Sequence, residues 1–351
     1  MTFVWVLRDK GSEWRTIRRV LEAGRAPFTP LIEAVREPYQ PQRGGTPRDP
    51  LAVLAELGEK VRPLTNSGRV WVDLGHLIGL FSANDVGQLH ELVRSNAGLL
   101  TQNVTPVIRT SSPGPVVEAC LRWAHQEASG VCLRVEGTTH LREKSATVAS
   151  LAKASGLKDS ELDLIFDAQD LPRALSYEEL EIALPLSQTA RTWSVVAGTF
   201  PASITDLSPD LYVHKLDRDE WTAWNEEIAH GRLHRLPDYG DYATQPATYS
   251  LSPAFPGSPS VRYTIGEHYV VLRGRGSASG KKLDYGQYVG HAIYLRQQDY
   301  FAEVCRTPGD DYVERIASRV LNTGTPTTWR IASFERHINV VATQVAHVLG
   351  A

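Results

Sequence analysis

The chain has 351 residues, 42% of them hydrophobic and 22% charged, with a formal net charge of −3. That length and apolar content supply a sizeable core, for one large domain or two ordinary ones, and argue against wholesale disorder. The near-neutral balance excludes a global basic field for nucleic acid and leaves only local basic patches open.

In chain order the pattern is an alternation of short apolar runs and stretches of helical period. Phe3 to Arg8 is the first strand and Trp14 to Leu21 the helix behind it. Thr29 to Val35 leads to Pro50–Val61, entered through Asp49 as N-cap with proline at N1. Arg69 to Leu74 leads to Ala83 to Ser95, and Val104 to Arg109 to Pro115 to Ala128. Gly130 to Val135 precedes Ser145 to Ala154. Glu161 to Asp167 precedes Tyr177 to Thr189, which Ser176 and Glu179 open as a capping box. Trp193 to Ala197 precedes Arg218 to His230.

These are seven βα units whose strands are near-continuous apolar runs, as parallel strands covered on both faces require. The expected fold is a (β/α)8 barrel spanning 1–351 as one domain, with an open doubly wound sheet as the alternative. No GxGxxG follows any strand, so a Rossmann-type nucleotide site is not expected.

After residue 235 the rhythm changes. Residues 246–284 read as an insertion or lid: a Pro/Ser loop, a hairpin (Val261 to Ile265, a Gly266-Glu267 turn, His268 to Leu272) and a basic Gly-rich loop reaching Lys281 and Lys282. The eighth strand is either Tyr239 to Ala243 or part of that hairpin. Helices Tyr285 to Cys305, Tyr312 to Leu321 and Trp329 to Val348 end the chain.

Cys120, Cys132 and Cys305 form no CxxC, and the first two sit in apolar runs, so buried thiols in a reducing compartment are expected. Met1 to Lys10 carries Asp9 and only a short apolar run, so no signal peptide is expected there. No segment approaches the ~20 apolar residues of a membrane span. The expectation is a soluble, cytoplasmic protein.

In a βα barrel the residues that end the strands converge on one face, where active sites are built. Here those ends are charged: Arg8 and Lys10, Glu33, Asp73, Arg109, Arg134 and Glu136, Asp167 and Asp170, then Asp238 and Asp241. Glu33, Asp73, Asp167, Asp238 and Asp241 are the candidate acid/base carboxylates. Lys10, Arg134, Arg262 and Arg273 are the candidate anion-binding groups. Arg134 interrupts the apolar run Val131-Cys132-Leu133-Arg134-Val135 and must meet an anion there, either a ring carboxylate, with Asp167 a natural partner, or a ligand's phosphate or carboxylate. Asp238-Tyr239-Gly240-Asp241-Tyr242 reads as a glycine turn whose two carboxylates could hold Mg²⁺ or divide acid and base roles. Gly198-Thr199-Phe200-Pro201, after the seventh strand, reads either as a plain turn or as the corner where barrels bind phosphate. With no HxH or HExxH, no metal site is indicated, and the cofactor is left open.

The chain resembles the phage beta-protein family. The resemblance is carried by Phe28-Thr29-Pro30-Leu31-Ile32-Glu33, Gly198-Thr199-Phe200-Pro201-Ala202-Ser203, Pro237-Asp238-Tyr239-Gly240-Asp241-Tyr242, Val261-Arg262-Tyr263-Thr264, Leu272-Arg273-Gly274-Arg275-Gly276, Gly286-Gln287-Tyr288 and Thr327-Thr328-Trp329-Arg330, with His337 behind them. It departs at the opening, where Val4 to Lys10 lacks the proline that relatives carry and Lys10 fills the place of their lysine. The resemblance implies a setting in mobile elements and phage–host conflict, and brings no catalytic assignment.

Two functions remain open. One is an enzyme or sensor for a phosphate-bearing ligand, nucleotide or nucleic-acid end. The other is a non-catalytic recognition or scaffold subunit of a defence assembly, with Tyr285, Tyr288, Tyr294, Tyr300 and Phe301 as its partner surface. The first expects arginines free of carboxylates and a carboxyl group of raised pKa, the second a cross-paired ring and an exposed apolar patch.

Overall fold

The computed structural model describes residues 3–24, 28–35, 50–81, 85–170, 176–204, 207–208, 212–250, 258–276 and 283–350. Asp49, Lys281 and Lys282 lie outside the described residues. The chain divides into two compact units. The first holds residues 1–10, 28–197 and 223–241, and the second residues 11–27, 198–222 and 242–351.

The first unit is a closed parallel barrel of eight strands. They are β1 (Phe3–Arg8), β2 (Phe28–Glu33), β3 (Val70–Asp73), β4 (Val104–Arg109), β5 (Val131–Glu136), β6 (Leu162–Asp170), β7 (Thr192–Gly198) and β9 (Asp238–Asp241). The fold is therefore a (β/α)8 barrel, and the eighth strand is the Asp238–Asp241 segment, paired to β1 on one side and β7 on the other. The helices of this unit include α2 (Pro50–Val61), α3 (Val86–Asn96), α4 (Gly114–Glu127), α5 (Leu141–Ser155) and α6 (Tyr177–Ala183).

Asp238-Tyr239-Gly240-Asp241 is thus a strand and not a glycine turn. Glycine is required there by a close approach: a Cβ on Gly240 would lie 2.6 Å from Val196 Cγ2 and 3.0 Å from the Val4 Cβ. The small residue lets the short eighth strand close the gap between β7 and β1. The helix expected over Tyr177 to Thr189 stops at Ala183. Leu184 precedes Pro185, leaves the helical region at ψ 74°, and a short 3₁₀ turn Pro185–Gln188 follows.

At the strand starts, Asp163 is fully buried and gathers four donors. These are the guanidinium groups of Arg69 (3.2 Å) and Arg191 (2.8 Å), the Trp71 indole N–H (2.7 Å) and the Thr192 hydroxyl (2.9 Å). They come from segments entering β3 and β7, so this carboxylate ties three strands at the end of the barrel where stability, not chemistry, is set.

The second unit is built on a three-stranded antiparallel sheet in the order β10-β11-β8. The expected hairpin is β10 (Ser260–Ile265) and β11 (His268–Arg273), and β8 (Val213–Asp217) adds to β11. β8 was not expected from the sequence, because Val213-His214-Lys215-Leu216-Asp217 is too short and polar to announce itself. Helices α1 (Gly11–Glu22), α8 (Gln287–Arg296), α9 (Pro308–Ala317) and α10 (Pro326–Val348) complete it. α1 packs along α10, and α10 along β10.

The helix expected over Tyr285 to Cys305 ends at Arg296; beyond it Ala302 and Val304 have positive φ of 58° and 72°, which a helix cannot hold. The aromatic partner surface is also corrected. Tyr288 is buried, and Tyr294, Tyr300 and Phe301 pack against the core formed by Val261, Tyr263, Leu272, Val313, Ile316 and Trp329. Only Tyr285 among the five is classed as exposed. No described helix is long and apolar enough to cross a membrane.

Candidate functional site

Within the barrel the strand register sets charged ends level with one another. Arg8 lies opposite Glu33, Glu33 opposite Asp73, Arg109 opposite Arg134, and Glu136 opposite Asp167. Arg134 is the hub, its side chain 2% exposed. Its Nη2 donates to Glu33 Oε1 at 2.9 Å, its Nη1 to Asp73 Oδ2 at 2.6 Å and its Nε to Asp167 Oδ2 at 3.0 Å. The anion it needs is therefore supplied by the ring, and three candidate carboxylates from the sequence are brought together around it.

Arg109, Arg8 and His76 also engage the ring, while Glu33 Oε2 and Arg109 Nη2 make no hydrogen bond among the described residues. Arg109 Nε donates to both Asp73 oxygens, at 3.0 and 2.9 Å, and its Nη1 to Glu136 Oε1 at 2.9 Å. Arg8 Nε lies 3.5 Å from Glu33 Oε2, and His76 Nε2 lies 3.4 Å from Glu33 Oε1. Backbone N–H groups bind the outer oxygens of two of the carboxylates: Gly75 donates to Asp73 Oδ1 at 2.8 Å and Gln169 to Asp167 Oδ1 at 2.9 Å. Burial pushes the Glu33 carboxyl up, but Arg134, His76 and Arg109 outweigh it and hold it well below the usual carboxylate range. Burial likewise raises Asp73, and Arg109 with Arg134 overcomes that, leaving it lowered. Neither is poised to hold a proton near neutral pH, as a general acid must.

Asp241 is buried and accepts from the Tyr239 hydroxyl at 2.9 Å. Asp238 sits at the other end of the same short strand, and three residues apart on a strand means opposite faces, so the pair does not form a joint site. Among the described residues no group of three or more His, Cys, Asp or Glu is placed to hold a metal. Lys10 is two residues beyond β1, half-buried, with its N–H donating to the Arg8 carbonyl at 2.7 Å.

The other two candidate arginines lie in the second unit and are in a different state. Arg262 is opposite Val271 and Arg273 opposite Ser260, so the two are diagonal neighbours on one face at the same end of the hairpin. Diagonal neighbours are roughly 7–8 Å apart at the backbone, within reach of one ligand for side chains this long. Arg262 donates to the Thr244 carbonyl and lies 4.6 Å over the Phe200 ring; Arg273 donates to the Leu207 carbonyl. Among the described residues neither has a carboxylate within ion-pair distance. Burial pushes Arg262 down to about 9, and the neighbouring Arg330 adds to this while Glu13 opposes it.

Three residues of this cluster were not singled out from the sequence. Arg330 is one helical turn before Ser333, whose hydroxyl donates to the Arg262 carbonyl at 2.6 Å, so it stands beside Arg262. Glu13 is fully buried, with one oxygen accepting from Ser12 and the other without a hydrogen-bond partner. Phe200 entered the sequence reading only within Gly198-Thr199-Phe200-Pro201, either a plain turn or a phosphate-binding corner. In the chain, Glu13, Phe200 and Thr244 follow the C-terminal ends of β1, β7 and β9 by five, two and three residues. Those three strands are neighbours in the barrel. His337 is buried and bonded to the Thr264 hydroxyl at 3.0 Å, a satisfied core histidine.

Solved structures with related coordinates exist at low likeness. Tryptophan synthase from M. tuberculosis is 11% identical with a TM-score of 0.36, over 68% of this chain and 81% of its own. Yersinia pestis DHPS is 13% identical with a TM-score of 0.38, over 70% and 87%. A protein assigned as a fructose-1,6-biphosphate aldolase from Coccidioides immitis is 9% identical with a TM-score of 0.38, over 99% and 89%. No curated protein matches the chain. The Beta protein family model matches residues 3–343, and the chain belongs to that family.

Proposed function

We propose that this chain is a barrel protein that binds a phosphate-bearing ligand, a nucleotide or nucleic-acid end, through Arg262 and Arg273. The observation that carries the reading is the state of Arg262: a guanidinium in a desolvated setting, beside a second arginine and without a carboxylate partner among the described residues. A charge taken out of water without a counter-ion is costly, and an anionic ligand relieves that cost. Arg134 is not part of this site, because three carboxylates already occupy it.

The test is thermal unfolding with inorganic phosphate, nucleotides and short 5′-phosphorylated oligonucleotides, on the wild type and Arg262→Gln. A ligand at 100 times its Kd adds about 2.7 kcal/mol to a protein it binds only when folded. A shift in the wild type that Arg262→Gln abolishes is expected. No shift with any of these ligands overturns the reading.

The cross-paired ring around Arg134 favours a second reading, a non-catalytic recognition or scaffold barrel in the phage–host setting that the family implies. Absence of every ligand effect, together with co-purification of one stoichiometric partner, would select it.

A further inference from the structure

The second unit contains a third arginine in the same condition as Arg262 and Arg273. Arg330 has no carboxylate within ion-pair distance among the described residues. Its place is fixed from two sides. The Ser333 hydroxyl, one turn later on α10, donates to the Arg262 carbonyl at 2.6 Å. Trp329, its neighbour in sequence, stacks on Tyr288 with ring centroids 5.1 Å apart and an 18° interplanar angle. The Ser260 N–H donates to the Tyr288 hydroxyl, and Ser260 is the residue opposite Arg273 in the hairpin. Arg330 is thereby placed near the end of β10 that carries Arg262, and Arg273 lies diagonally across the hairpin from Arg262. Burial is the main cause that lowers Arg262, and the like charge of Arg330 adds to it.

Glu13 is a buried carboxylate whose charge reaches Arg262, and among the described residues none of the three guanidinium groups forms an ion pair. One phosphate monoester carries at most two negative charges, and one end of β10 presents arginines from two strands and a helix. We propose that the site takes two adjacent phosphate groups, a diphosphate moiety such as that of a nucleoside diphosphate or of pyrophosphate itself, with Arg262 shared between them, Arg330 holding one and Arg273 the other. Arginine suits this because its planar fork pairs with phosphate oxygens through two parallel hydrogen bonds. Phe200, under Arg262, keeps the shared guanidinium in place by stacking, which a lysine would not exploit in the same way.

This inference rests on the anion-binding reading above, and the experiment separates the two. Titration calorimetry would measure inorganic phosphate, pyrophosphate and citrate on the wild type, Arg262→Gln, Arg273→Gln and Arg330→Gln, each first checked for native thermal unfolding. Pyrophosphate is expected to bind at least tenfold tighter than phosphate, and citrate, a multiply charged anion without phosphates, is not expected to match it. Arg273→Gln and Arg330→Gln should each bring pyrophosphate down toward phosphate, and Arg262→Gln should weaken both. If phosphate binds in an Arg262-dependent way but shows no preference for pyrophosphate, or if the preference survives both Arg273→Gln and Arg330→Gln, the diphosphate inference falls and the anion site stands. If citrate equals pyrophosphate, the site reads charge alone and the inference falls as well. If no anion binds the wild type, both fall together.

Discussion

Arg134 and Arg262 are both arginines set in apolar surroundings, one on a barrel strand and one on a hairpin strand, and their partners could hardly differ more. Arg134 meets carboxylates from three other strands, and its neighbours Glu33 and Asp73 are held ionised. Arg262 meets a backbone carbonyl, an aromatic face and another arginine. The same residue type is thus a completed internal brace in one unit and, in the other, a guanidinium without a carboxylate partner among the described residues, the state on which the proposed anion site rests. Burial alone does not distinguish structure from function; the sign of the surrounding charge does.

The largest expected effect separates the two arginines directly. Arg134→Ala leaves Glu33, Asp73 and Asp167 buried without their common cation and should destabilise the protein by about 3–5 kcal/mol in denaturant unfolding. Arg262→Gln, which removes a charge lacking a counter-ion, should leave ligand-free stability unchanged or raise it by up to about 1 kcal/mol. Equal losses for the two variants would break the comparison.

Closure of the barrel offers a second break point. Gly240→Ala puts a methyl 2.6 Å from Val196 Cγ2 in a fully paired strand, and overpacking of this kind costs about 1–3 kcal/mol. A wild-type unfolding midpoint would show that the eighth strand is looser than described.

Acid sharpens the contrast further. Glu33 and Asp73 have folded-state pKa values below their unfolded values of 4.5 and 3.8, so their contribution is fully present above those values and is lost as pH falls through the lowered ones. Stability should be flat down to about pH 5 and then fall, and Glu33→Gln should shallow that fall. A Glu33→Gln acid limb as steep as the wild type would remove the ring from the account.

The smallest effect is chemical. Cys120 and Cys132, in the barrel unit, are buried and their thiols are pushed up mainly by burial, whereas Cys305, in the second unit, is partly exposed. Thiol titration of the native protein should modify Cys305 first, and the other two only on unfolding. Early reaction of Cys120 or Cys132 would mean the barrel opens before the second unit does.

Much of the barrel could be read from the chain because its strands are buried on both faces and its helices carry local start and stop signals: β4 at Val104–Arg109 and α2 at Pro50–Val61 match their expected limits. Arg134 was legible for the same reason, one charge within an apolar run, and its Asp167 partner sits at the corresponding end of the next strand. Arg262 and Arg273 stood out by their place on a hairpin. What was hidden depends on contacts distant in sequence. Asp238-Tyr239-Gly240-Asp241 carries turn residues and becomes a strand through its pairing with β1 and β7, which approach so closely that Gly240 has no room for a Cβ. Glu13, Arg330 and Phe200 look like ordinary helix and loop residues, and only folding brings them to Arg262. The five aromatics looked like a surface because their spacing does not reveal that a sheet from elsewhere in the chain covers them.

The hub at Arg134 also has a meaning in time. Glu33 is made 101 residues before the arginine that neutralises it, and Asp73 61 residues before. A nascent chain that has delivered β1 to β4 already holds Arg8 and Arg109 for these carboxylates, but not the cation that joins both of them to Asp167. The ring is therefore complete only once β5 and β6 have both been made, because Arg134 is the group that joins the carboxylates of β2, β3 and β6.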